Sequence, residues 1–392
     1  MKIKIIDSTG NLFPRGNLTD ITEQNIQDSL KFSQNFARIC YSEKDLEGLK
    51  EEKLNSQLVS RFLKSGHHSV FEHLYLNFYF EGIPKIMAMI LNNEKGYNTS
   101  EKSARYTQLK KIDPHQKELY DKWAEIFIQN IGEVYPSMEE GEKRKIAIKK
   151  LAQENARYMT SVFTPTKMGH TLSWRQLNFL INEFEQFSSQ TDKRNCEKYL
   201  GDELAEQMQE FNETLSPLKV EGLTNQTDRH LSFFGARKVE EHFGDSYSTS
   251  YLMSFAGLAQ AHRHRTINYS VSDGTKLGAS LGFFIPRLIR KEGLKEEWVK
   301  DLESVAQYDI PQAQLLEVNE RGILEDFRSK ALLRMCGHAQ AEIMENTTET
   351  AKKYNLYQEI YAPNALEPKC RQEIRCKAPC VWGGKQALSR IV

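Results

Sequence analysis

The residues best suited to chemistry lie between Gln260 and Arg265, in the order Gln-Ala-His-Arg-His-Arg. Arg263 and Arg265 each carry a permanent charge and a planar fork of N–H donors, so the pair suits an anionic or carbonyl-rich planar ligand. The same triplet at a helix end also reads as a solvated cationic terminus set against the carbonyl pole. A second polar set stands upstream: Glu101, Ser103, Arg105 and Tyr106 supply a carboxylate, a hydroxyl, a guanidinium and a phenol. Those groups match a phosphorylated heterocycle, and equally an ordinary surface loop. Three further arginines, Arg157, Arg175 and Arg334, fall on helical stretches, and Arg334 is followed by His338 and Gln340.

Hydrophobic spacing predicts the elements that must position these groups. Phe32, Phe36, Ile39 and Cys40 mark an opening helix within 28–42, and Leu54, Leu58, Phe62 and Leu63 a second one stopped by Gly66. The stretch from Gly66 to His73, which contains Ser69, leads into Leu74, Leu76, Phe78 and Phe80, alternating as in a half-buried strand. Pro84 opens a helix through Leu91, and residues 93–107 lack periodicity and read as a loop. A helix over 145–163, with Ile146, Ile148 and Leu151 inward, carries Arg157; another from about Trp174 carries Arg175.

Residues 216–228, with Pro217, Gly222 and Thr224, form the clearest boundary, and after it the order of elements recurs. Glu240-Glu241-His242 precedes a strand from Tyr247 to Met253, Ser254 caps a small-residue helix, and that helix delivers Arg263-His264-Arg265. The counterpart of this triplet in the first half is Asn93-Glu94-Lys95. Conversely, Ser103, Arg105 and Tyr106 have Asp273, Thr275 and Lys276 as counterparts. The chain therefore reads as a diverged internal duplication of α+β class: repeat 1 over 1–215, a linker at 216–228, repeat 2 over 229–360 and a cysteine-containing tail over 361–392.

With 53 basic and 53 acidic residues among 392, the net charge is zero, which argues against nucleic acid or a membrane surface as the main partner. No signal peptide or long apolar run is evident, and a cytoplasmic protein is expected. Six cysteines in so long a chain read as thiols. Cys370, Cys376 and Cys380, with Cys336 or His338 as a fourth ligand, would make a zinc site, but their spacing follows no standard zinc motif and free thiols are the expectation.

These motifs resemble the flavin-dependent thymidylate synthase (ThyX) family, duplicated in tandem. The first half matches at His67, Ser69, Phe71-Glu72-His73 and Ser103-Ala104-Arg105-Tyr106; the second matches at Gln260, Arg263-His264-Arg265, Arg334 and His338-Ala339-Gln340. The resemblance implies two domains, each with helices packed on an antiparallel sheet, and reductive methylation of dUMP to dTMP with FAD, methylenetetrahydrofolate and NAD(P)H. It implies one composite nucleotide site per chain, with Gln260, Arg263 and Arg334 from one half and Glu101, Ser103, Arg105 and Arg157 from the other. Arg334 would stabilise charge on the pyrimidine. Arg263, His264 and Arg265, with Ser69, Glu101, Arg175 and His338, would hold the flavin. The family's Asn-x-Arg stands here as Ser173-Trp174-Arg175. A homodimer would rebuild the family's tetramer. The alternatives are a ThyX-like enzyme for another pyrimidine nucleotide, and a non-catalytic flavin- or nucleotide-binding protein.

Overall fold

The computed structural model describes residues 1–103, 112–135, 141–190, 196–224, 229–235, 240–271, 281–289, 293–337 and 339–357. Arg105, Tyr106, His338, the 273–276 counterpart and the tail with Cys370, Cys376 and Cys380 lie outside them. The chain is α+β and divides into two compact units that are interleaved in sequence. The first comprises 1–102, 165–194 and 198–231; the second comprises 103–164, 195–197 and 232–392.

The first unit is built on a five-stranded antiparallel sheet in the order β2-β1-β3-β5-β4. Its strands are β1 (Lys2–Ser8), β2 (Gly16–Asn17), β3 (Tyr75–Pro84), β4 (Tyr97–Glu101) and β5 (Pro165–Ser173), and its helices are α1 (Glu23–Ile39), α2 (Leu46–Lys50), α3 (Ser56–Lys64), α4 (Lys85–Leu91), α7 (Trp174–Ser189) and α8 (Lys198–Leu215). Alternation in β3 buries Leu74, Leu76, Phe78 and Phe80, and Phe80 stacks on Phe211 of α8. Helix α3 ends in a Schellman turn. Gly66 takes φ +72°, and the His67 N–H reaches back 2.9 Å to the Phe62 carbonyl.

Two expectations change here. Helix α1 buries Ser29, Ser33, Gln34 and Ala37, whereas Ile39 and Cys40 are exposed. The aromatic pair Phe32–Phe36 is satisfied instead by its own edge contact and by His73, stacked 3.9 Å from Phe36. The 93–107 stretch is not all loop, because Tyr97–Glu101 forms the edge strand β4. An edge strand with one partner and only Tyr97 buried needs no apolar alternation, so its sequence gave no period to read.

The second unit repeats the core strand order. Its four-stranded antiparallel sheet runs β6-β7-β9-β8, with β6 (His242–Phe243), β7 (Ser246–Ser254), β8 (Asn268–Val271) and β9 (Leu315–Ile323). The helices are α5 (Pro114–Val134), α6 (Glu142–Ala156), α9 (Phe255–Ala261), α10 (Leu294–Ala306), α11 (Leu324–Arg334) and α12 (Ala341–Tyr357). In both sheets a strand leading into a short buried helix pairs with a later strand, which in turn pairs with a polar edge strand: β3-β5-β4 and β7-β9-β8. One core joins α5, α6 and α10 through Trp123, Phe127, Tyr158 and Trp298; another joins Tyr247, Phe327 and Tyr354. Among the described residues no helix is long and apolar enough to cross a membrane.

Candidate active site

The Gln260–Arg265 segment is delivered by α9. Ser254 adopts extended backbone before the helix and its hydroxyl accepts the Gly257 N–H at 3.0 Å, so the helix start is capped. The seat of that cap is a buried carboxylate. Glu342 accepts the Ser254 N–H at 2.6 Å, the Ser254 hydroxyl at 2.7 Å and the Tyr158 hydroxyl at 2.7 Å. Burial pushes its carboxyl up, and the same burial raises the Tyr158 phenol well above its ordinary value. Gln340 donates to Tyr158, and Arg157 donates to Gln340 and, at 3.3 Å, to the Ala256 carbonyl. Arg157, a predicted substrate contact, is therefore buried against α9, four residues before Gln260.

This packing leaves no room beside the helix. A Cβ on Gly257 would lie 2.7 Å from Glu342 Cδ and Oε2, and 2.7 Å from Met253 Cγ. Gly257→Ala is expected to destabilise the second unit by about 1–3 kcal/mol through overpacking, read as a lower urea midpoint at unchanged slope.

At the far end of α9 the exposure alternates. Arg263 and Arg265 are exposed and His264 between them is buried. The ring faces α11, where the Arg334 Nε–H donates to His264 Nε2 at 2.7 Å and a second Arg334 nitrogen lies 3.4 Å from the Gln260 carbonyl. Burial first, then the charges of Arg334 and Lys330, hold the imidazole pKa down at about 2, so the ring is neutral. Gln260 is itself buried, at 3% exposure, and its side-chain Oε1 has no hydrogen-bond partner among the described residues. A buried amide oxygen left without a partner is a group that a polar ligand edge would satisfy.

Behind Arg334, one turn earlier on α11, Lys330 is fully buried and donates to Glu320 Oε2 at 2.5 Å. Glu320, also fully buried, accepts the Tyr247 hydroxyl at 2.6 Å and the Tyr251 hydroxyl. Burial pushes the Lys330 ammonium down despite this carboxylate, and raises both phenols. Sequence reading missed this cluster. Its one available signal was the spacing of Lys330 and Arg334, which puts two cations on one helix face.

The structure thus brings Gln260, His264 and Arg334 together and seats Arg157 on the same short helix. Ser103 also belongs to the second unit. Ser69, Glu101 and Arg175 belong to the first. Ser69 is exposed, the Glu101 carboxylate is held by Lys85, and Arg175 pairs with Glu72 at 2.7 Å. Ser173, at the place of the family asparagine, accepts the Gln176 N–H at 3.1 Å and caps α7. Among the described residues no cluster of histidine, cysteine and carboxylate side chains could hold a metal.

Fold and site together define an α+β protein in which a short capped helix presents a cationic turn and a neighbouring helix fixes an arginine against it. Residues 21–210 match the profile of the thymidylate synthase complementing protein family. It is 31% identical over 160 residues to the flavin-dependent thymidylate synthase of Clostridium tetani, a match covering 36% of this chain and 64% of that relative's length. Among solved structures it is similar to ThyX from Helicobacter pylori with FAD and dUMP, at 15% identity over 57% of this chain and 95% of that one, TM-score 0.31. It is also similar to the UMP/dUMP methylase PolB from Streptomyces cacaoi bound with 5-Br dUMP, at 15% identity over 55% and 94%, TM-score 0.29.

Proposed function

We propose that the chain is a flavin-dependent thymidylate synthase-like enzyme that converts dUMP to dTMP, with methylenetetrahydrofolate as one-carbon donor and NAD(P)H as reductant. The observation that carries this reading is the Arg334 guanidinium, fixed by His264 Nε2 and the Gln260 backbone carbonyl, on the segment whose buried Gln260 Oε1 has no hydrogen-bond partner among the described residues. A pyrimidine offers both donors and carbonyl acceptors on one edge, so it can take both contacts at once. Arg334 is the cation that favours the ionised form of the ring, since developing charge on the pyrimidine would lie against it. The residues fit FAD in charge as well: Arg263 and Arg265 are exposed on either side of the buried imidazole, as a diphosphate requires. When bound, FAD supplies the hydride that completes the methyl group. Arg157 and Ser103 come from the first half of the sequence yet belong to the second unit, which supports one composite nucleotide site per chain. A homodimer is the assembly this reading favours.

The test is direct. Purified protein is expected to be yellow, to bind dUMP, and to release dTMP when given methylenetetrahydrofolate and NADPH. Product from UMP or dCMP and none from dUMP would move the assignment to another pyrimidine nucleotide. Absence of bound flavin after reconstitution would sink the reading.

A further inference from the structure

We propose that His264 is a positioning residue for Arg334: its Nε2 accepts the Arg334 Nε–H and thereby fixes the plane of the guanidinium. The proposal rests on the reading of Arg334 as the cation that faces the pyrimidine. An arginine on the last turn of a helix has four rotatable bonds and would sample many directions; an acceptor on Nε removes most of that freedom. His264 Nε2 is that acceptor at 2.7 Å, and the Gln260 carbonyl at 3.4 Å restrains a terminal nitrogen.

A histidine can accept only while it is unprotonated, so the site must keep a proton off a ring that lies among cations. Arg334 on α11 does so, because its Nε–H already occupies the Nε2 lone pair at 2.7 Å. Lys330 would be difficult to keep charged in the interior alone. Glu320 on β9 holds it, and the Tyr247 and Tyr251 hydroxyls fill the remaining acceptor capacity of that carboxylate. Arg263 and Arg265, which flank the ring in sequence, point to solvent and leave His264 as the inward member of the triplet.

The experiment is nitrogen-15 NMR of histidine side chains in the full chain, with His264 identified by the resonances lost in His264→Gln. A neutral ring protonated on Nδ1 is expected, unchanged on acidification to about pH 4.5, two units below an ordinary imidazole. A ring protonated on Nε2, or one that charges near the ordinary ~6.5, overturns the proposal. The second arm is kinetic. At saturating flavin and nucleotide, His264→Leu, which lacks an acceptor, is expected to lose about 10²-fold in kcat, and His264→Gln, which keeps one, less than about 10-fold. Equal kcat values with only flavin affinity changed would make His264 a cofactor contact alone and overturn the proposal. If the wild-type protein forms no dTMP, the functional reading fails, and the NMR arm still decides the Arg334–His264 contact.

Discussion

Replacing Lys330 with methionine is expected to cost about 3–5 kcal/mol of stability in the second unit. The substitution removes the ammonium from a fully buried pair and leaves Glu320 in the interior with two tyrosine hydroxyls as its only described side-chain partners. Two phenol hydrogen bonds do not replace a charge partner there, because an isolated carboxylate out of water loses several kcal/mol of solvation. Lys330→Met combined with Glu320→Leu is expected to recover most of the loss, since two apolar side chains of similar volume have no charge to desolvate. Urea unfolding of both variants measures this. A single variant that loses no more than the ~1 kcal/mol of a surface pair would show that water reaches the cluster.

Arg334→Ala is expected to lower kcat for dTMP formation by about 10²–10³-fold, the usual cost of removing one group that stabilises developing negative charge. Nucleotide affinity should fall far less if the arginine acts mainly on the ionised ring. Arg334→Lys is expected to recover little. An ammonium has no fixed fork, and it cannot keep the Nε–H bond to His264 while also presenting donors to a planar edge. Product formation measured under single turnover with saturating dUMP checks both variants. Activity in Arg334→Ala within a few-fold of wild type would transfer the role to another cation.

How much of this was legible varies with what each residue must satisfy. Strand β3 was readable because alternate residues are wholly buried, and Ser254 was readable as a cap because a hydroxyl before a small-residue helix has few other uses. The edge strands β4 and β8 were not, since a polar edge strand has no apolar period. Ile39 and Ile146 fit helical stripes yet are exposed, at 56% and 45%. Periodicity marks which residues share a face and does not say whether that face is covered. At the site, Gln260, His264 and Arg334 were found by motif. Glu320 and Lys330 were not, because a buried charge is disclosed only by the partners that tertiary structure brings to it.

Trp123 and Trp298 meet edge to face at 4.8 Å in a single core, although α5 and α10 come from opposite sides of the boundary expected at 216–228. On the ribosome this becomes a matter of timing. At about 5–20 residues per second, Trp123 and Phe127 emerge roughly 10–30 s before the tryptophan that completes their packing. The nascent chain must therefore carry an uncovered aromatic surface on α5 through nearly half of its synthesis. A chain split at the boundary would carry that surface permanently.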